Sequence, residues 1–225
     1  MFGGAVLLFA SRRPFALAGV LLALSAGAAR AQTSIEITPF LASFYALSSV
    51  SEQTNIPLTD FQGSPPGDVI REQRDGPAFG VRVSFPVTGV IRAEGEVAYA
   101  LSDGSQTARP RDFPEAGLGT TSNAHVILAS ARAVFRPRRQ NFFGLAGLGV
   151  VARGGTFWDN ADQSARLAGV VGFGVRAAVS PQLSLTFTAE AYLYSFNYSS
   201  SNVPNSDSKF QQDIVVSVGV PIGAR

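Results

Sequence analysis

The stretch Lys209-Phe210-Gln211-Gln212-Asp213-Ile214-Val215-Val216-Ser217-Val218-Gly219-Val220-Pro221-Ile222 decides the fold. In an extended chain, Phe210, Gln212, Ile214, Val216, Val218, Val220 and Ile222 share one face, while Gln211, Asp213, Ser217 and Gly219 share the other. The first face suits lipid and the second suits water. A closed β-barrel with greasy side chains outside and charges within has this pattern.

Working outward, similar alternation bounded by turn residues marks eight strand candidates: 34–47, 78–87, 90–101, 124–136, 142–153, 166–179, 183–196 and 209–222. Their connections alternate in length. Thr88-Gly89, 137–141 and Ser180-Pro181-Gln182 are short, whereas 48–77, 102–123, 154–165 and 197–208 are long. Short turns at one end and long loops at the other, with both termini at the short-turn end, is the arrangement of bacterial outer-membrane barrels. The expected fold is therefore all-β, an eight-stranded antiparallel transmembrane β-barrel with up-and-down meander topology. The long connections, such as Gln62-Gly63-Ser64-Pro65-Pro66-Gly67-Asp68, are rich in turn formers and are expected to be mobile loops. Aromatic rings are expected in two rows: Tyr45, Tyr99, Phe157, Trp158, Phe196, Tyr198 and Phe210 at the outer rim, and Phe85, Phe135, Phe142 and Phe143 at the periplasmic rim.

Residues 1–31 read as an export signal, leaving 32–225 as the barrel domain. Arg12 and Arg13 flank an apolar stretch from Phe15 to Ala28, and Ala29-Arg30-Ala31 is a small-x-small cleavage site. The uncharged run is about 15 residues, short of the roughly 20 a spanning helix needs. Cleavage would remove Arg12, Arg13 and Arg30 from the 18 basic residues, leaving 15 against 16 acidic ones. The mature chain is then near minus one, so charge gives no reason to expect a nucleic-acid partner. There is no cysteine, hence neither a disulfide framework nor a lipidated N-terminal cysteine.

If the apolar set faces lipid, the opposite set lines the lumen: Glu36, Arg82, Arg92, Glu94, Glu96, Arg132, Arg166, Arg176, Glu190 and Asp213. Isolated charges in so narrow a space are costly, so these ten are expected to pair across the lumen. Eight strands leave room for side chains or something small, which implies a plugged polar interior. Glu94 and Glu96 resemble an acid/base pair, but Arg92 on the same face would hold both ionised. Gly147-Leu148-Gly149 has no following helix to make a phosphate cradle. His125, the sole histidine, shares the lipid face with Ile127, Ala129 and Ala131, whereas Ser130 has the opposite parity. A hydrolytic triad is therefore not expected, and no metal or cofactor site is predicted. Strand 142–153 keeps an open facing, because Leu148 and Val150 are as apolar as Leu145 and Val151, and Arg153 receives no role.

The opening Ile35-Glu36-Ile37-Thr38-Pro39-Phe40, the Phe142-Phe143-Gly144-Leu145-Ala146-Gly147-Leu148-Gly149 strand and the closing Val216-Ser217-Val218-Gly219-Val220 resemble the small outer-membrane β-barrel superfamily, typified by the OmpA transmembrane domain and OmpX. The resemblance implies the outer membrane of a diderm bacterium and insertion by the barrel-assembly machinery. It leaves several roles open, among them stabiliser, adhesin, narrow pore and lipid enzyme. The expected partners are outer-membrane lipids and an extracellular ligand at the loops, with a monomeric, non-enzymatic barrel of structural or surface-interaction role. The alternatives are a narrow porin-like passive channel, a soluble periplasmic lipocalin-like ligand binder, and a lipid-modifying barrel enzyme.

Overall fold

The computed structural model describes residues 35–57, 66–111, 118–137, 140–158, 165–180, 182–196 and 209–223. The expected signal segment, 1–31, lies outside them. The strands are β1 (Glu36–Ala46), β2 (Ser51–Pro57), β3 (Pro66–Gln73), β4 (Gly76–Pro86), β5 (Ile91–Pro110), β6 (Leu118–Phe135), β7 (Phe142–Gly154), β8 (Ala165–Ala178), β9 (Ser184–Phe196), β10 (Lys209–Gly219) and β11 (Ile222–Gly223).

Strand β1 bonds β4 on one side, from Glu36↔Ser84 to Phe44↔Gly76, and β10 on the other, from Phe40↔Gly219 to Ala46↔Asp213. Between them β4, β5, β6, β7, β8, β9 and β10 pair in sequence order, all antiparallel. Eight strands thus close into the expected up-and-down barrel. Closure lets the wall satisfy its own backbone N–H and C=O groups, the condition for spanning hydrocarbon. The β1–β10 ladder breaks where Pro39 lies near Pro221; β11 resumes it at Ile37↔Ile222. Neither proline has an N–H to donate, so the gap falls where the donors are missing.

The long connections differ from expectation. Strands β2 and β3 lie inside segment 48–77, and β5 and β6 run well past the proposed ends of their candidates. Gly67–Gln73 pairs with Gly104–Pro110, and Ser102–Ala108 pairs with Leu118–Ala124, so a sheet in the order β2-β3-β5-β6 stands beyond the barrel. A spanning strand needs about 9–11 residues, whereas β5 has 20 and β6 has 18. The excess is polar, and its backbone is satisfied by strand pairing rather than by any apolar face. This is why hydropathy alone reads it as loop. Gly155, at φ 99°, turns the chain after β7, and a Cβ there would press on the Asn123 carbonyl.

Facing follows parity in every barrel strand. In β10, Gln211, Asp213, Val215, Ser217 and Gly219 are buried, while Phe210, Val216 and Val218 are exposed. In β7, Leu145, Gly149, Val151 and Arg153 are buried, while Leu148 and Val150 face out. That settles the strand whose facing the sequence left open and turns Arg153 inward. The outer surface is apolar: Leu41, Phe79, Leu148, Leu167, Phe173 and Phe187 are all exposed, Leu167 to 71%.

Inward glycines make room for the large inner side chains. Gly147 lies opposite Arg132 and Gly172 opposite Glu190. A Cβ on Gly147 would stand 2.6 Å from both Cα and Cβ of Arg132, and closer still to the Ala131 carbonyl. On Gly172 it would meet the Ala189 carbonyl at 2.6 Å. Gly147→Ala is therefore expected to cost about 1–3 kcal/mol by overpacking, read from urea-dependent folding in vesicles. Gly169→Ala, whose Cβ meets nothing nearer than 3.9 Å, should leave stability unchanged or slightly raised. Equal effects at the two positions would mean that the wall is not packed as described.

Candidate functional site: a charged layer across the lumen

The charged residues of the inner face come from strands far apart in sequence. Closure brings β4, β5, β6 and β9 around one narrow space. Arg82 Nε donates to Glu96 Oε2 at 2.6 Å, Nη1 to Thr188 Oγ1 at 3.1 Å, and Nη2 to Glu190 Oε1 at 2.8 Å and Ser217 Oγ at 2.7 Å. Its guanidinium also lies 4.2 Å from the Phe40 ring centroid. Arg132 Nε and Nη2 donate to Glu94 Oε1 at 2.9 and 2.7 Å, Nη2 also to Glu96 Oε2 at 2.8 Å, and Nη1 to Glu190 Oε2. Tyr192 completes the layer by donating its hydroxyl to Glu96 Oε1 at 3.0 Å. Both arginines, Glu96 and Glu190 are buried, Glu190 to 1% exposure. Two guanidiniums thus meet three carboxylates, and the rigid forks of arginine let each bridge several acids at once.

The other inner charges fall outside this layer. Toward the short turns Arg176 pairs with Glu36 at 2.7 Å, and Arg92 donates to the Ser84 hydroxyl at 3.0 Å. Toward the long connections Asp213 accepts the Tyr194 hydroxyl at 2.6 Å and pairs with Arg153 at 3.3 Å. Arg153 is the residue the sequence reading left without a role; β7 alternates two apolar faces, so its own signal was weak. Arg166 lies 5.3 Å from the Phe196 ring centroid rather than in the central layer.

Two further expectations are corrected. Trp158 and Phe196, placed by sequence on the lipid-side outer rim, are buried within, and Arg153 lies 5.3 Å from the Trp158 ring and 5.0 Å from the Phe196 ring. Phe143, assigned to the periplasmic rim, packs against the core. The interior is also not polar throughout. Above the charged layer Phe44, Val126, Leu128, Val151, Val170 and Val215 fill it. An eight-stranded lumen is narrow enough for opposite walls to touch, so apolar side chains gain dispersion contacts inside as they would in lipid.

His125 stacks on Tyr99 on the outer face, with ring centroids 5.3 Å apart, while Ser130 faces the lumen 3.5 Å from the Tyr192 hydroxyl. The wall separates the two. Among the described residues no three His, Cys, Asp or Glu side chains converge as a metal site would require.

An inside-out barrel with an apolar outer wall and a buried ionic layer matches a known sequence family. The family model for the outer membrane protein beta-barrel domain covers residues 15–220. The chain belongs to that family. Membership places it among outer-membrane proteins and its apolar wall in lipid. The crystal structure of the outer membrane protein OprG from Pseudomonas aeruginosa is similar, at 10% identity over 85% of this chain and 96% of that one, with a TM-score of 0.49. The solid-state NMR structure of the outer membrane protein AlkL is similar at 13% identity, over 86% of this chain and 91% of that one, also with a TM-score of 0.49. Neisserial surface protein A matches at 13% identity over 85% and 99%, with a TM-score of 0.37. No curated protein matches the chain significantly.

Proposed function

We propose that this protein is an exported, monomeric, non-catalytic barrel with a side-chain plug, serving a structural or surface-interaction role in the outer membrane. The observation that carries this reading is the layer of Arg82, Arg132, Glu96 and Glu190, whose side chains are at most 3% exposed and span the lumen. An ion would have to pass that layer and the apolar filling above it. The β2-β3-β5-β6 sheet beyond the barrel offers a paired, polar surface to an extracellular ligand. Insertion would use the barrel-assembly machinery after removal of 1–31.

Planar-bilayer recording on refolded protein tests the plug. Wild type is expected to show no steady conductance, and Glu190→Ala to show openings, since one of the two carboxylates that bridge both arginines is gone. Steady wild-type conductance would replace this reading with the narrow channel, which the open vestibule beneath the layer favours. Lipopolysaccharide turnover that is lost in His125→Ala would overturn the non-catalytic assignment.

A further inference from the structure

The short-turn end of the lumen holds positive charge that the central layer does not absorb. Arg92, Arg136 and Arg176 line one cavity of about 30 Å³ together with Glu36, Ser84 and Glu94. That volume admits roughly two or three water-sized groups, the scale of one small oxyanion. Both lining carboxylates are already engaged: Glu94 accepts from Arg132 at 2.7 Å, and Glu36 from Arg176 at 2.7 Å. Arg92 reaches Ser84 alone, through the hydroxyl at 3.0 and 3.3 Å and the carbonyl at 3.4 Å. Among the described residues the Arg136 side chain has no hydrogen-bond or ion-pair partner, and Arg176 Nε is buried without one. Arg136 lies in the turn after β6. Its pKa is lowered, first by burial and then by Arg176, with Arg92 adding repulsion and Glu36 opposing it.

Arg176 has Glu36, but Arg92 and Arg136 share this partly dry space with no carboxylate bonded to either, and such charges are costly unless an anion joins them. Their planar forks match the edges of a tetrahedral oxyanion. Ser84 Oγ accepts from Arg92, which leaves its own proton free to donate inward. We propose that this vestibule binds a small oxyanion of the phosphate or sulfate class, held by Arg92 and Arg136 with Ser84 Oγ and Arg176 Nε as further donors. The site stands whether the lumen above it is closed or conducts.

Equilibrium dialysis of inorganic phosphate against the refolded full chain in an uncharged detergent tests the site. Wild type is expected to bind one phosphate saturably, with sulfate competing. Arg136→Gln and Arg92→Gln should each weaken binding about tenfold or more. Arg111→Gln, on the exposed turn at the opposite end, should leave it unchanged. Heat-dependent gel mobility reports whether each variant has folded, and if one fails the other carries the comparison. Absence of saturable wild-type binding, or wild-type affinity in the folded variants, overturns the proposal. Repeating the dialysis in phosphatidylcholine and phosphatidylglycerol discs identifies the source. Binding lost in phosphatidylglycerol alone assigns the site to an anionic headgroup, and binding kept in both assigns it to the free anion.

Discussion

Arg132→Ala is expected to destabilise the folded barrel by about 3–5 kcal/mol, because it removes one partner from a buried ionic cluster and leaves the rest uncompensated. Glu94 would lose its guanidinium, and Glu96 and Glu190 would share Arg82 alone. Water cannot easily repair the loss, since the side chains of Glu96 and Glu190 are fully enclosed. Arg92→Ala makes the contrast. Arg92 is partly exposed and bonds to Ser84, so its loss should cost about 1 kcal/mol or less. Urea-dependent folding into vesicles, read by the unboiled gel band, measures both. Adding Glu190→Leu to Arg132→Ala removes one charge of each sign and should recover part of the loss, giving a coupling of about 1–3 kcal/mol in a double-mutant cycle. Additive losses, or an Arg132→Ala variant within about 0.5 kcal/mol of wild type, would mean that the layer does not form in the membrane.

Charge made the inner face of the wall legible in the sequence. A charged side chain has one tolerable direction in a lipid-embedded wall, so Glu36, Arg82, Glu96, Arg132, Glu190 and Asp213 announced their facing by themselves. Apolar residues carry no such sign. Val126, Leu128 and Val151 fill the lumen, whereas Val97, Ile127 and Leu148 face out, and composition is the same for both sets. The same ambiguity misplaced Trp158 and Phe196: an indole or phenyl ring suits an interfacial belt, but it suits equally a lumen where Arg153 and Arg166 offer cationic faces. Strands β2 and β3 were hidden for another reason. The pairing of β2 with β3, and of β3 with the extended β5, rests on backbone hydrogen bonds and contacts such as Arg71 Nε to Gln106 Oε1 at 3.0 Å, and turn-rich polar segments do not advertise either. A glycine likewise carries no sign of the side chain it makes room for: only the register sets Gly147 against Arg132.

The facing of β7 carries the other large expected effect. Leu148 lies mid-strand, 63% exposed, between the inward Gly147 and Gly149. Leu148→Arg puts a guanidinium near the bilayer midplane, where lipid-facing charge in such barrels costs about 2–4 kcal/mol. The charge cannot turn inward, because the lumen side of β7 is occupied by Leu145 and Val151, both in the packed core. Nor is a carboxylate at hand: the outward neighbours across the ladders are Ala131 on β6 and Gly169 on β8. The same charge at Thr121, exposed on the sheet beyond the barrel, should change stability by about 0.5 kcal/mol or less. Vesicle folding compares the two directly. Should Leu148→Arg fold as well as Thr121→Arg, β7 would present its other face to lipid, Arg153 would lie outside, and the Arg153–Asp213 pair would have to be abandoned together with the inward course of the whole strand.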